Sequence, residues 1–313
     1  MKLISYKMKG TKNTYRIGGM VDNDIIDIQD SYRQLLQSRG NEDKISMIDD
    51  LLPADPATFF SIGDVAIERA KKAYAFMKQS IKQENNHLIP REGVRLGIPN
   101  PAPEKVICVG KNYRDHAKEM DSDVPEIPVL FGKFNNALIG PEDVIEKSSY
   151  TNKLDYEVEL GVVIGRKAKY VKRRQAYEYI AGYTIGNDIS ARDLQKRTSQ
   201  WLQGKNLDRS TPIGPWIVTK DEIPHPDQLS VYAFVNGEKR QASHTSQLIF
   251  DIPYLIEFIS HMITLKPGDI VLTGTPDGVG FAMNPPQFLR SGDIVTLEIE
   301  KIGKLENKVG NAS

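Results

Sequence analysis

Along this chain the apolar residues recur first at alternate positions, then at helical spacing, then at alternate positions again. The opening runs "KLISYKM", "TYRIGGMV" and "DIIDI" are separated by Gly and Asn, and predict short strands of a small sheet. From Ser31 the spacing becomes helical. "SYRQLLQSR" and "VAIERAKKAYAFMKQSI" predict helices, the second with Val65, Ala66, Arg69, Ala70, Ala73, Phe76 and Met77 as a largely apolar stripe. Polar "KQENNH" then leads to "IPNPAPEK", whose prolines disfavour both helix and sheet, so the boundary falls near Ile98 to Pro103. The resulting domains are residues 1–97 and 98–313.

The second segment reads as many short strands: "VICVG", "VLFGKF", "YEVELGVVIG", "YIAGYTIGNDI", "GPWIVT", "LSVYAFVNGEKRQAS", "DIVLTGT" and "DIVTLEIEKIGKLENKV". Turns rich in Gly, Pro, Asn and Asp separate them, which predicts a closed or rolled sheet. "VNGE" is a hairpin signal of the Asn-Gly type. Helices are sparse: "YRDHAKEM", "KRRQAYEYI", "ARDLQKRTS" and "IPYLIEFISHM". The fold class expected is α+β and rich in β, with a small α/β N-terminal domain.

One predicted strand conflicts with its own pattern. In "LDYEVELGVVIG", Tyr156, Val158, Leu160 and Val162 share an apolar face, which places Asp155, Glu157 and Glu159 together on the other. Two carboxylates at that spacing lie about 6–7 Å apart and repel in a medium poorer than water. Water, basic side chains, shared protons or a bound cation can offset the repulsion. A solvated strand face is the plainest of these readings.

Composition narrows the function classes. The 41 basic and 41 acidic side chains balance, so no long-range field recruits nucleic acid or an anionic membrane. The single cysteine, Cys108, lies in an apolar run and reads as a core residue. One cysteine builds no intramolecular disulfide framework, and neither a signal-peptide pattern nor a membrane-spanning run is present, so a cytoplasmic location is expected. Serine-hydrolase, zinc-peptidase and nucleotide-binding motifs are missing.

Carboxylates remain. Asp188 ends the strand in "GYTIGNDISARDLQ", where it could cap a helix or line a cleft. With Glu157 and Glu159 it makes a set of hard oxygen donors suited to Mg²⁺ or Mn²⁺ rather than zinc or copper. In "VGKNYRDHAKEM", His116 and Glu119 are three apart, so a helix would let the carboxylate orient the imidazole as a general base; an incidental surface pair is the alternative. Thr275, in "LTGTPDGVG", could hold a substrate carboxylate together with nearby amides. His87, His225, His244 and His261 read as structural.

The ordered set "VGKNYRDHAKEM", "DYEVELGVVIG", "GYTIGNDISARDLQ", "GKNLDRSTPIGPW" and "LTGTPDGVG" resembles the fumarylacetoacetate hydrolase family across residues 104–310. The N-terminal segment is similar to that of the bacterial branch of the YisK type, some members of which decarboxylate oxaloacetate. The resemblance implies a β-rich roll, a homodimer, a divalent metal on Glu157, Glu159 and Asp188, and a lid carrying His116 and Glu119. It further implies that Lys205, Gln195 and Thr275 contact a 2-oxo acid. The sequence departs from the animal enzyme in two places. Lys111-Asn112 stands where that enzyme has a further metal carboxylate, and "DSDVPEIPVLFGKFNN" offers no arginine for a distal substrate carboxylate. The family's usual proline soon after Lys133 is also absent. Hydrolysis of a C–C bond in an acylpyruvate or fumarylpyruvate is the activity expected, with oxaloacetate decarboxylation or isomerisation on the same site as the alternative. A noncatalytic scaffold would not require the His116–Glu119 pair.

Overall fold

A computed structural model of the chain describes residues 1–81, 88–119 and 123–312. Lys2–Met8, Arg16–Val21 and Asp24–Asp27 form an antiparallel ladder, with Leu3 opposite Gly19 and Gly18 opposite Asp27. Asp27 then ends the strand and starts a helix. Its carboxylate accepts the Asp30 N–H at 2.9 Å, so the helix Ile28–Ser38 begins three residues before the pattern placed it. The helix Asp64–Ser80 buries Ala66, Ile67, Ala70, Ala73 and Met77. Val65 is exposed and Ile67 is buried, because the buried arc keeps Ala66, Ala70, Ala73 and Met77 of the stripe read in the sequence but is turned slightly around the helix toward Ile67.

Lys2–Met8 also pairs with Thr211–Thr219, Lys2 lying opposite Val218, so the first ladder continues into the sheet of the second segment. That sheet has twelve strands among the described residues, and its centre runs Thr211–Thr219, Ile180–Asn187, Val158–Ile164, Ile270–Leu272, Val106–Gly110, Val129–Lys133. Val94–Gly97 pairs with Lys2–Met8 as well. A second, five-stranded sheet is built on the hairpin of Ser230–Val235 and Glu238–His244. The hairpin turns at Asn236 and Gly237, whose φ values of 53° and 79° suit the left-handed pair that an Asn-Gly turn requires.

The two faces of the large sheet are both covered, which is why its central strands are largely apolar. Val158, Leu160 and Val162 pack with Val231, Ala233, Leu297 and Leu305 of the second sheet. On the other face Cys108, Val163, Ile217 and Ile270 pack with Leu3, Phe59, Phe60 and Ala66. Cys108 is therefore a core residue, and burial pushes its thiol pKa well up.

Two predicted helices are shorter or tighter than the pattern implied. Arg173–Tyr179 is a 3₁₀ helix, and "ARDLQKRTS" keeps only the turn Arg192–Gln195. The next helix, Leu202–Lys205, comes in so close that a Cβ on Gly204 would lie 2.5 Å from the Gln195 nitrogen. That approach brings Lys205 to the acids. The helix Ile252–Met262 has the bounds read from the sequence, its N-terminus capped by Asp251 onto the Tyr254 N–H. Among the described residues no helix is long and apolar enough to cross a membrane.

Candidate metal centre

The strand that carries the acids is broken. Leu154–Asp155 pairs with Ser190–Ala191, and the regular strand resumes only at Val158. Hydrogen bonds lock the gap: Asp188 N–H donates to the Glu157 carbonyl at 2.9 Å, and Glu157 N–H donates to Asn187 Oδ1 at 3.1 Å. Glu159, one pair further along, lies opposite Gly186. Carboxylate oxygens of Glu157, Glu159 and Asp188 consequently lie within 4.8 Å of one another, and all three residues are buried. Burial excludes the solvated-face reading, and Asp188 does not cap the following helix, whose first flanking residue is Ala191.

Three cations answer these charges. Lys205 Nζ lies 2.8 Å from Glu157 Oε2 and 2.7 Å from Asp188 Oδ2. Lys133 Nζ lies 3.0 Å from Asp188 Oδ1 and also donates to the Thr211 hydroxyl at 2.8 Å. Arg192 Nη1 lies 2.7 Å from Glu157 Oε1, while its Nε donates to Asp155 Oδ2 at 2.8 Å. Asp155 is thus drawn away from the triad. It also accepts the N–H groups of Gly280 and Phe281, which makes it a support for Arg192 rather than a ligand.

The electrostatic result is asymmetric. Burial opposes ionisation of Glu157, but Lys205 and Arg192 outweigh it and hold the carboxyl well below its usual range. At Glu159, burial and the charges of Asp188 and Glu157 push the pKa well up, and the Gly274 N–H, which donates at 2.8 Å, only partly offsets them. Burial likewise works against the Lys205 ammonium, yet Asp188 and Glu157 raise its pKa overall. A third carboxylate with no lysine of its own, facing two others, is a donor set short of positive charge. A small divalent cation fits it, with oxygen donors of the kind Mg²⁺ and Mn²⁺ prefer.

The acids open onto a cavity of ≈ 60 Å³ that is also lined by Lys111, His116, Phe131, Arg192, Gln195, Trp201, Lys205 and Thr275. Each candidate residue therefore reaches this one space except Glu119, which stands behind His116. The helix Arg114–Glu119 closes one side: His116 Nδ1 lies 3.3 Å from Glu119 Oε2, and Glu119 Oε1 accepts the Gly278 N–H at 2.9 Å. The last residue of the predicted helix, Met120, lies outside the described residues, as does His87. His225, His244 and His261 line none of this cavity.

Gln241 was not visible as a site residue in the sequence. It is fully buried, accepts the Val158 N–H at 3.0 Å, and donates to Thr275 Oγ1 at 2.9 Å and the Pro276 carbonyl at 2.8 Å. Because Thr275 accepts from Gln241, its own hydroxyl proton is free to point at a ligand. Lys133 and Arg192 also escaped the sequence reading. The available signals were a lysine inside an apolar strand and an arginine one turn beyond Asp188.

Residues 105–310 match the family model "Fumarylacetoacetate (FAA) hydrolase C-terminal". The chain is 40% identical to "Oxaloacetate tautomerase YisK" of Bacillus subtilis (strain 168) over 303 residues, which cover 95% of this chain and 97% of that protein. It superposes on "Fumarylacetoacetate hydrolase (EaFAH)" from Exiguobacterium antarcticum with a TM-score of 0.78, 33% identity and full coverage of both chains. It also superposes, again with full coverage of both chains, on maleylpyruvate hydrolase from Sphingobium sp. SYK-6, a complex with manganese(II) ion and pyruvate, with a TM-score of 0.72 and 26% identity.

Proposed function

Because the chain belongs to the fumarylacetoacetate hydrolase family, we propose that it is a divalent-metal-dependent enzyme acting on a small 2-oxo acid, and that keto–enol tautomerisation of oxaloacetate is the reaction its site supports best. The observation that carries this reading is the cavity itself. Three buried carboxylates face a small cavity of ≈ 60 Å³, which takes a handful of heavy atoms. The identity with the Bacillus tautomerase over almost the whole chain points the same way. Cleavage of an acylpyruvate, the activity expected first from the sequence, becomes the second reading.

Glu157, Glu159 and Asp188 would hold Mg²⁺ or Mn²⁺, which supplies a Lewis acid for the charge developing on the 2-oxo oxygen. The chain's own residues do the remaining work. Glu119 occupies Nδ1 of His116, leaving Nε2 to exchange a proton with the ligand. His116 takes a proton from C3, the C–H electron pair becomes the C2=C3 bond, and the carbonyl π pair moves onto oxygen. Lys205 spends two N–H groups on Glu157 and Asp188 and has a third to donate a hydrogen bond to that oxygen, while the proton taken up by His116 is delivered to the oxygen, which completes the enol and restores both side chains. Thr275 and Gln195 orient the carboxylate. The reverse sequence returns the keto form, so atoms and charge balance without another reactant.

In the hydrolytic reading His116 deprotonates a water that adds to the distal carbonyl, and the C3–C4 pair becomes the enolate; the likeness to two hydrolase structures favours it. The two readings separate in one experiment. Enolic oxaloacetate is followed by ultraviolet absorbance with Mg²⁺ or Mn²⁺ and then with a chelator, while pyruvate release is assayed in parallel on oxaloacetate and on acylpyruvates. Tautomerisation predicts metal-dependent enol loss without pyruvate, abolished in Glu157→Gln and slowed about 10²–10⁴-fold in His116→Ala. Acylpyruvate cleavage without enol turnover establishes hydrolysis instead, and pyruvate from oxaloacetate establishes decarboxylation. No turnover of any substrate leaves the noncatalytic scaffold.

A further inference from the structure

The geometry points to Lys111 as the residue that receives the distal carboxylate of the substrate, and so sets a preference for four-carbon 2-oxo dicarboxylates over monoanionic 2-oxo acids. The inference rests on the proposed 2-oxo acid site. Lys111 lines the same cavity as the triad and is half-buried. Among the described residues its ammonium makes no hydrogen bond or ion pair, whereas Lys133, Arg192 and Lys205 are all held by carboxylates. Lys111 is therefore a cavity-lining residue whose charge no carboxylate among the described residues pairs with.

Its placement is enforced from both sides. Lys111 has φ of 56°, a left-handed conformation that costs a non-glycine residue energy and persists only where neighbours over-determine it. On one side Gly110 is pressed to Trp201, where a Cβ would lie 2.5 Å from the ring. On the other, fully buried Asn112 donates to the Thr273 carbonyl at 2.7 Å and to the Phe250 carbonyl at 3.1 Å, and accepts the Phe250 N–H at 2.8 Å. The backbone cannot relax at Lys111 without breaking those contacts.

Charge balance gives the same answer. Lys111, Arg192 and Lys205 line the cavity with the three carboxylates, while Lys133 supports Asp188, Asp155 supports Arg192, and Glu119 stands behind His116. A divalent ion on the triad would leave the cavity net positive, and Lys111 adds one charge to that excess, which favours the more highly charged anion. The arginine missing from the segment after the lid is thus replaced by a lysine from before it.

The test is calorimetric binding of L-malate and of pyruvate to the Mg²⁺-loaded wild type, Lys111→Gln and Lys111→Arg proteins. Malate carries the four-carbon dicarboxylate skeleton and pyruvate lacks the distal group. Loss of one charge-assisted contact should weaken malate by about 10- to 100-fold in Lys111→Gln. Pyruvate should change less than about twofold, and Lys111→Arg should keep most of the malate affinity. The KM for oxaloacetate should rise with little change in kcat, as for a contact equal in ground and transition states. Equal weakening of both ligands, or of neither, overturns the role of Lys111 while leaving the site intact. Failure of the wild type to bind either ligand overturns the 2-oxo acid reading and this inference with it.

Discussion

Replacing Lys205 by Met removes a buried positive charge while conserving the length of the side chain. Lys205 is 2% exposed and sits between Glu157 and Asp188 at 2.8 and 2.7 Å. Deleting one partner of a buried ion pair costs about 3–5 kcal/mol, because the remaining charge stays out of water. Here Arg192 still holds Glu157 and Lys133 still holds Asp188, so the lower end applies, about 3 kcal/mol. For a chain of this length each kcal/mol shifts the melting temperature by about 2 °C, so Lys205→Met should melt about 6 °C lower in a chelator. A divalent ion answers the same carboxylates. Adding Mn²⁺ should therefore restore much of the loss, and the metal-induced rise in Tm should exceed that of the wild type. Differential scanning calorimetry over a Mn²⁺ series measures both quantities. If the variant melts with the wild type in chelator, or gains the same increment from Mn²⁺, the idea that lysine and metal share one set of acids is wrong.

Other substitutions probe the supports. Gln241→Leu strands the buried Val158 N–H and releases Thr275; chemical denaturation should show a loss of about 1–3 kcal/mol, and kinetics a raised KM. Gly278→Ala would put a Cβ 2.0 Å from the Arg240 carbonyl at φ of 93°, so the turn must shift and release its N–H from Glu119. Its Tm should fall by more than that of an ordinary surface substitution, with kcat lowered as well. Asp155→Ala leaves Arg192 buried with one carboxylate fewer, a cost of about 3–5 kcal/mol in denaturant titration, and an unchanged midpoint would remove Asp155 from the support of the site.

The sequence made the acids legible because strand alternation is a strict geometric rule, and Tyr156, Val158 and Leu160 do share an apolar cluster while Glu157 and Glu159 converge elsewhere. His116 and Glu119 were legible for the parallel reason on a helix. The break between Asp155 and Val158 was not, since it depends on hydrogen bonds from residues some thirty positions away. Lys133, Arg192 and Gln241 were hidden in the same way. A cation or amide that satisfies a distant carboxylate or N–H leaves no periodic trace, and only the folded chain shows which lysine out of many is buried.

The pairing of Lys2 with Val218 sets an order of events for the newborn chain. The first strand soon has neighbours in Arg16–Val21 and Val94–Gly97, but the Lys2–Leu3 end of its second edge waits for a strand made on the order of two hundred residues later. At about 5–20 residues per second that wait is roughly 10–40 s, during which the Lys2–Leu3 end of the edge stands open. Mutations that merely weaken the late strand Thr211–Thr219 should then reduce yield during synthesis more than they reduce the stability of the finished protein.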